Sequence, residues 1–180
     1  MANNYNFLLA GFGGQGILFT GKVVAYTGMV DGCEVSWLPS YGPEMRGGTA
    51  NCSVCLSPAP IGSPLVLNPN VLVAMNTPSF DKFINTVEPG GVAVIDSTLV
   101  NATTDRTDIT AVYIPATRLA RENDMPKLAN LIILGAIYKA TGFTSMETIR
   151  KAVEKCVPKT KPELVELNMK AIQIGIENAI

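Results

Sequence analysis

The stretch that follows the first apolar run constrains the fold of this chain more than any other. Tyr5–Ala10 is short and apolar, the profile of a parallel strand buried on both faces. It leads into Gly11-Phe12-Gly13-Gly14-Gln15-Gly16, which fits G-x-G-x-x-G with one additional glycine, and then into a mainly apolar helix from about Ile17 to Val30. Strand, glycine turn and helix in that order are the context the motif requires. Free backbone amides at such a helix N-terminus form a natural site for an anion. The glycines have a second reading, in which they only let helix and strand pack closely. Gly21 and Gly28 point that way, because they lie on one helix face and each costs about 1 kcal/mol against alanine in a helix interior.

The dinucleotide reading of the turn fails one test. The Rossmann fingerprint expects an acid at the end of the second strand, about 20 residues on, to hold the ribose. Here the second strand is predicted over Cys33–Leu38 and ends in Trp37-Leu38-Pro39, with Glu34 at its start. Contact with phosphate or carboxylate by the turn is the better expectation.

A second glycine-rich stretch, Pro39-Ser40-Tyr41-Gly42-Pro43-Glu44-Met45-Arg46-Gly47-Gly48-Thr49, follows that strand. Proline fixes φ and glycine allows positive φ, so the loop is expected to be shaped rather than floppy. Gly47 and Gly48 would let a ligand or partner chain approach the main chain. Arg46 carries a planar fork of donors suited to phosphate or carboxylate. An ordinary surface turn with a solvated Glu44/Arg46 pair is the alternative.

Downstream, apolar runs and helical stripes alternate. Strands are predicted over Thr49–Leu56, Val71–Met75, Val92–Ile95 and Ala111–Ile114. The proline-rich Ser57–Pro64 segment between the first two cannot join a sheet interior. Thr77 is the expected N-cap of a helix that begins with Pro78 and runs to about Val87. A short helix follows from Arg118 to about Asn123, and then a nearly all-apolar one over Leu128–Ala140. Thr144-x-x-Glu147 reads as the capping box of the next helix, which Pro158 ends. Pro162 opens the last, to about Ala179, with Val165, Met169, Ile172 and Ile176 inward and Glu166–Lys170 as an i,i+4 pair. This order predicts an α/β fold: a Rossmann-like three-layer sandwich with a mostly parallel sheet and a C-terminal helical cluster closing one face, in a single domain over residues 1–180.

Only 16% of the 180 residues are charged and 47% are hydrophobic, against about a quarter charged in ordinary globular domains. Either the core is well filled or another chain covers apolar surface. A formal net charge of −1 without a basic run gives nucleic-acid binding no support. Met1-Ala2-Asn3-Asn4 lacks the positive segment of a secretory signal, and the runs Phe7–Ala10 and Leu131–Tyr138 are too short to span a membrane. A cytoplasmic protein is expected.

The usual parts of an independent catalyst are missing. The chain has no histidine, hence no imidazole base, and no nucleophile elbow. Gly16 is not followed by Lys-Ser/Thr, so there is no Walker A loop. Cys52-x-x-Cys55 invites a redox or metal reading, but residues three apart on a strand point to opposite faces. With no second pair at zinc spacing and no run fit for an iron–sulfur cluster, Cys33, Cys52, Cys55 and Cys156 are expected to be ordinary buried thiols. Asp81, Asp96 and Glu44 lack an obvious mate and are expected to be solvated or capping. Asp96, at a strand end, is the best placed of them for a site.

Two stretches together identify a family. Gly11-Phe12-Gly13-Gly14-Gln15-Gly16 and Pro39 through Cys52, supported by Gly62-Ser63-Pro64, Asn76-Thr77-Pro78-Ser79 and Ile114-Pro115-Ala116-Thr117, resemble the gamma subunit of 2-oxoacid:ferredoxin oxidoreductases. The form Ser40-Tyr41-Gly42-Pro43-Glu44-Met45-Arg46-Gly47-Gly48 is most similar to the 2-oxoglutarate and branched 2-oxoacid enzymes, and less to the indolepyruvate enzyme. The resemblance implies a non-autonomous part of an enzyme that turns a 2-oxoacid, coenzyme A and oxidised ferredoxin into acyl-CoA, CO2 and reduced ferredoxin. It implies that thiamine diphosphate, Mg and iron–sulfur clusters sit on alpha, beta and ferredoxin-like delta partners. This chain would supply coenzyme A binding and subunit contacts through Gly13, Gly14, Gln15, Gly16, Glu44, Arg46, Gly47, Gly48 and Thr49, with no catalytic residue of its own and with room for a homodimer when isolated. A free-standing Rossmann-like binder of a nucleotide or coenzyme A is the alternative.

Overall fold

Side chains along the inner strands alternate between two cores. On β1 (Tyr5–Phe12), Phe7 and Leu9 enter one core and Leu8 the other. On β3 (Thr49–Ser57), Cys52, Val54 and Leu56 join the first and Cys55 the second. β4 (Val71–Ala74) divides likewise, with Val71 and Val73 opposite Leu72 and Ala74. A sheet covered on both faces requires this period of two. The computed structural model describes residues 4–41 and 49–179. Glu44, Arg46, Gly47 and Gly48 therefore lie outside the described residues.

With β2 (Glu34–Tyr41), β5 (Val92–Asp96) and β6 (Thr110–Ile114), the sheet runs in the order β2-β3-β1-β4-β5-β6. β1, β4, β5 and β6 pair in parallel, whereas β3 is antiparallel to both β1 and β2. Among the described strands β3 alone runs against the rest, so the sheet is mixed but mostly parallel. One face carries α1 (Ile17–Val30), α3 (Ala116–Glu122), α4 (Ala129–Thr141), α5 (Met146–Cys156) and α6 (Glu163–Asn178). The other carries α2 (Thr77–Phe83) and the 3₁₀ turn Ile84–Thr86, where Phe80, Ile84 and Val87 pack with Leu72, Ala93 and Ile95. The three layers and the C-terminal helices on one face are those expected.

The glycines within α1 are packing residues. A Cβ on Gly28 would stand 2.5 Å from Leu56 Cδ2 and 2.8 Å from Val35 Cγ2, and one on Gly21 would overlap Cys52 Sγ. The helix thus lies directly on β2 and β3. The Cys52 thiol, enclosed there, is pushed up to about 12 by burial, against the weaker opposing effect of its hydrogen bond with Trp37.

Several local expectations are corrected. β2 continues through Pro39 to Tyr41 instead of ending at Leu38; it is an edge strand, where a missing N–H is tolerated. The α2 N-cap is Asn76, not Thr77: Asn76 is extended and its Oδ1 accepts from Ser79 N at 2.8 Å, while the Thr77 hydroxyl donates to Leu99 O at 3.3 Å. The α5 cap is Ser145, whose Oγ accepts from Thr148 N at 3.1 Å. Thr144 is drawn away because its hydroxyl donates to Asp31 Oδ2 at 2.6 Å. Glu166 pairs with Arg150 at 2.7 and 3.1 Å rather than with Lys170, since the guanidinium fork matches both carboxylate oxygens.

Candidate functional site

The glycine turn sits at the C-terminal end of β1. Gly14 (φ 99°) and Gly16 (φ 77°) occupy left-handed conformations, which side chains resist. They differ in surroundings. A Cβ on Gly16 would lie 2.6 Å from Asn130 Cγ, whereas one on Gly14 would meet nothing within 4 Å. Gly16 is therefore held by packing, and Gly14 stands open among the described residues. Gly16 is also the N-cap of α1 and brings no side chain to its first-turn amides.

The Gln15 side chain braces the turn. Its Oε1 accepts from Phe12 N at 2.5 Å and its Nε2 donates to Met75 O at 2.9 Å, tying the end of β1 to the end of β4. Asn130 of α4 holds the other side, with Nδ2 donating to Gly16 O at 3.2 Å and to Thr20 Oγ1 at 3.1 Å. Asn130 was not among the expected site residues. The signal that would have found it is that it is the one amide in the otherwise apolar run Leu128–Tyr138.

The second glycine-rich motif returns to this place. Thr49, its last residue, pairs with Phe12, and Ala50 pairs with Gly11 and Tyr41. Of the expected site residues, Gly13, Gly14, Gln15, Gly16 and Thr49 thus gather at one end of β1. Chain connections leave β1 toward β2 on one side and β4 toward β5 on the other, so this is a topological switch point, where open α/β sheets bind ligands.

Two cavities flank Gly14. One, of about 260 Å³, is lined by Phe12, Gly13, Gly14, Leu18, Phe19 and Ala50 among others. The second, of about 180 Å³, is lined by Gly14, Gln15, Thr117, Arg121, Pro126 and Lys127 among others. No carboxylate or thiol lines either among the described residues.

Asp96 is fully buried, and it acts as a cap. It accepts from Thr98 N at 3.1 Å, from Thr117 N at 3.2 Å and from the Thr117 hydroxyl at 2.5 Å, joining the end of β5 to α3. Cys52 and Cys55 diverge into separate cores as expected. Cys33 and Cys156 are half-buried rather than buried, which corrects the expectation for those two; partial burial still pushes the Cys156 thiol up to about 11. Thiols so divided do not fit an iron–sulfur cluster or a zinc site. Among the described residues no group of three or more His, Cys, Asp or Glu side chains is placed to hold a metal ion, and no helix is long and apolar enough to cross a membrane.

Comparison with known proteins gives a consistent picture. The chain is 39% identical over 171 residues to the ketoisovalerate oxidoreductase subunit VorA of Methanothermobacter thermautotrophicus, covering 94% of this chain but 35% of that protein. It thus spans about a third of the length of that relative. It is 38% identical over 176 residues to the 2-oxoglutarate synthase subunit KorC of Methanocaldococcus jannaschii, covering 95% of this chain and 91% of that one. Among solved structures it superposes on the keto/oxoacid ferredoxin oxidoreductase gamma subunit of Geobacter sulfurreducens with a TM-score of 0.84, at 31% identity, over 98% of this chain and 97% of that one. The family model of pyruvate ferredoxin/flavodoxin oxidoreductase matches residues 6–178. With the family model, relatives above 30% identity and the fold agreeing over nearly the whole chain, the protein belongs to the pyruvate ferredoxin/flavodoxin oxidoreductase family.

Proposed function

We propose that this chain is the gamma subunit of a thiamine-diphosphate-dependent 2-oxoacid:ferredoxin oxidoreductase of the 2-oxoglutarate or branched 2-oxoacid type, acting in the cytoplasm as one gamma-type domain. The complex converts a 2-oxoacid, coenzyme A and oxidised ferredoxin to acyl-CoA, CO2 and reduced ferredoxin. This chain contributes the coenzyme A surface through Gly13, Gly14, Gln15, Gly16, Glu44, Arg46, Gly47, Gly48 and Thr49. Gln15 acts there by fixing the turn, because both ends of its amide are bound to main chain. Thiamine diphosphate, Mg and the iron–sulfur clusters belong to the alpha, beta and delta partners, and ferredoxin receives the electrons.

One observation carries this reading: the turn at Gly14 is open between two cavities whose described linings hold no acid, thiol or histidine. Such a surface offers open main chain, apolar side chains and the two cations Arg121 and Lys127, a chemistry suited to binding and orienting an anionic ligand. Contact with other subunits is supported by exposed apolar residues on the β2 side. Leu38 pairs with Ser53, whose Oγ accepts from Val66 N, and Leu65 and Leu67 beside Val66 are more than half exposed.

Reconstitution tests the proposal. Partner subunits assembled anaerobically with this chain should reduce ferredoxin in a reaction dependent on both 2-oxoacid and coenzyme A. Omitting the chain should abolish the coenzyme A dependence. Full coenzyme A-dependent turnover without it would contradict the assignment.

A further inference from the structure

The two cavities beside Gly14 differ in chemistry. The one toward α1 is lined by Phe12, Leu18, Phe19 and Ala50 with no charged side chain among its described lining. The one toward α3 and α4 carries Arg121 and Lys127 and no acid. Both cations are exposed, and neither makes an ion pair among the described residues, whereas Arg118, one turn earlier on α3, pairs with Glu122 at 3.7 Å. Two cations without an ion pair among the described residues, in one concave lining that holds no described acid, attract a polyanion. Gly14, with no Cβ and no described atom within 4 Å of where one would stand, lines both cavities and joins them.

We propose that Arg121 and Lys127 bind the phosphate groups of the coenzyme, while its uncharged part crosses Gly14 toward Phe12 and Phe19. This rests on the proposed function, under which the phosphate-bearing ligand is coenzyme A. It adds two residues that neither glycine-rich motif contains and fixes which way the ligand lies: charged end on the α3–α4 side, neutral end on the α1 side. Thr117 lines the same cavity, but its hydroxyl is committed to Asp96, so the phosphate contacts fall to the two cations.

The test uses the assembled complex with Arg121→Gln, Lys127→Gln, the double variant and Arg118→Gln as a control on the same helix. Each lost charge-assisted contact is expected to raise KM for coenzyme A roughly tenfold, with kcat little changed at saturation. The rise of KM with ionic strength should be shallower in the double variant than in the parent. Arg118→Gln should match the parent. A double variant with the parental KM and salt dependence overturns the inference while leaving the proposed function intact. An equal loss in Arg118→Gln overturns it too, by making the effect one of general surface charge. A parental complex that turns over without coenzyme A removes the proposed function and the inference with it.

Discussion

Gly135 of α4 and Gly175 of α6 lie main chain against main chain. A Cβ on either would sit 3.0 Å from the other's Cα and would collide with a carbonyl of the facing helix, Ile172 O or Ile132 O. The C-terminal helical cluster is thus closed by a glycine pair with no space for a methyl group. Gly135→Ala or Gly175→Ala must push the helices apart, and overpacking of this kind costs about 3 kcal/mol. Urea denaturation followed by circular dichroism measures it. A variant as stable as the parent would contradict the contact.

Gln15→Ala removes two hydrogen bonds that tie the glycine turn to β4. At about 1 kcal/mol each, the loss of stability should be about 2 kcal/mol. Gln15→Glu keeps the acceptor for Phe12 N but faces an oxygen toward Met75 O, and should not restore the parental value. Equal stability of parent and Gln15→Glu would argue against the Met75 contact.

Asp96→Asn tests the capping role against a catalytic one. The carboxylate accepts three bonds from Thr98 and Thr117, and an amide places donors where only acceptors fit. A loss of about 2 kcal/mol in stability is expected, with kcat of the assembled complex retained below the unfolding temperature. A large fall in kcat with stability unchanged would return Asp96 to the reacting groups.

The Cys52 and Cys156 thiols carry an alkaline signature. With Cys52 raised from 9.0 to about 12 and Cys156 to about 11, the neutral thiol is favoured in the fold. The stability linked to that shift is complete below the ordinary thiol value and is lost as pH rises from about 9 through the raised values. Alkylation at pH 8, mapped by mass spectrometry, should leave Cys52 unmodified in native protein and label it in urea. Cys52→Ala should flatten the alkaline decline in stability. Rapid native labelling of Cys52 would contradict its burial.

Much of this fold is legible in the sequence because its signals are local. The apolar run before Gly11 and the glycines after it are a strand and a turn, and α1 spans Ile17–Val30 as its pattern predicts. The divergence of Cys52 and Cys55 follows from strand geometry alone. Caps are less legible where two candidates adjoin: Asn76 and Thr77, or Thr144 and Ser145, are all capping residue types, and the distant partners Leu99 and Asp31 engage the two threonine hydroxyls. Long-range pairs are not legible at all. Arg150 reaches Glu166 across two helices, and Arg121 and Lys127 come beside Gly14 only once α3 and α4 are folded over the sheet end. The site divides in the same way. The motifs mark the glycine turn and Thr49, while Asn130 and the two cations are supplied by tertiary structure.

The most direct test of the central claim is anaerobic affinity purification of the natively expressed, tagged chain, with co-purifying subunits identified by mass spectrometry. The account predicts recovery with a thiamine-diphosphate-binding subunit and an iron–sulfur subunit, in a complex that oxidises a 2-oxoacid when coenzyme A is supplied. Recovery of the chain alone, under conditions that keep such complexes intact, would contradict it.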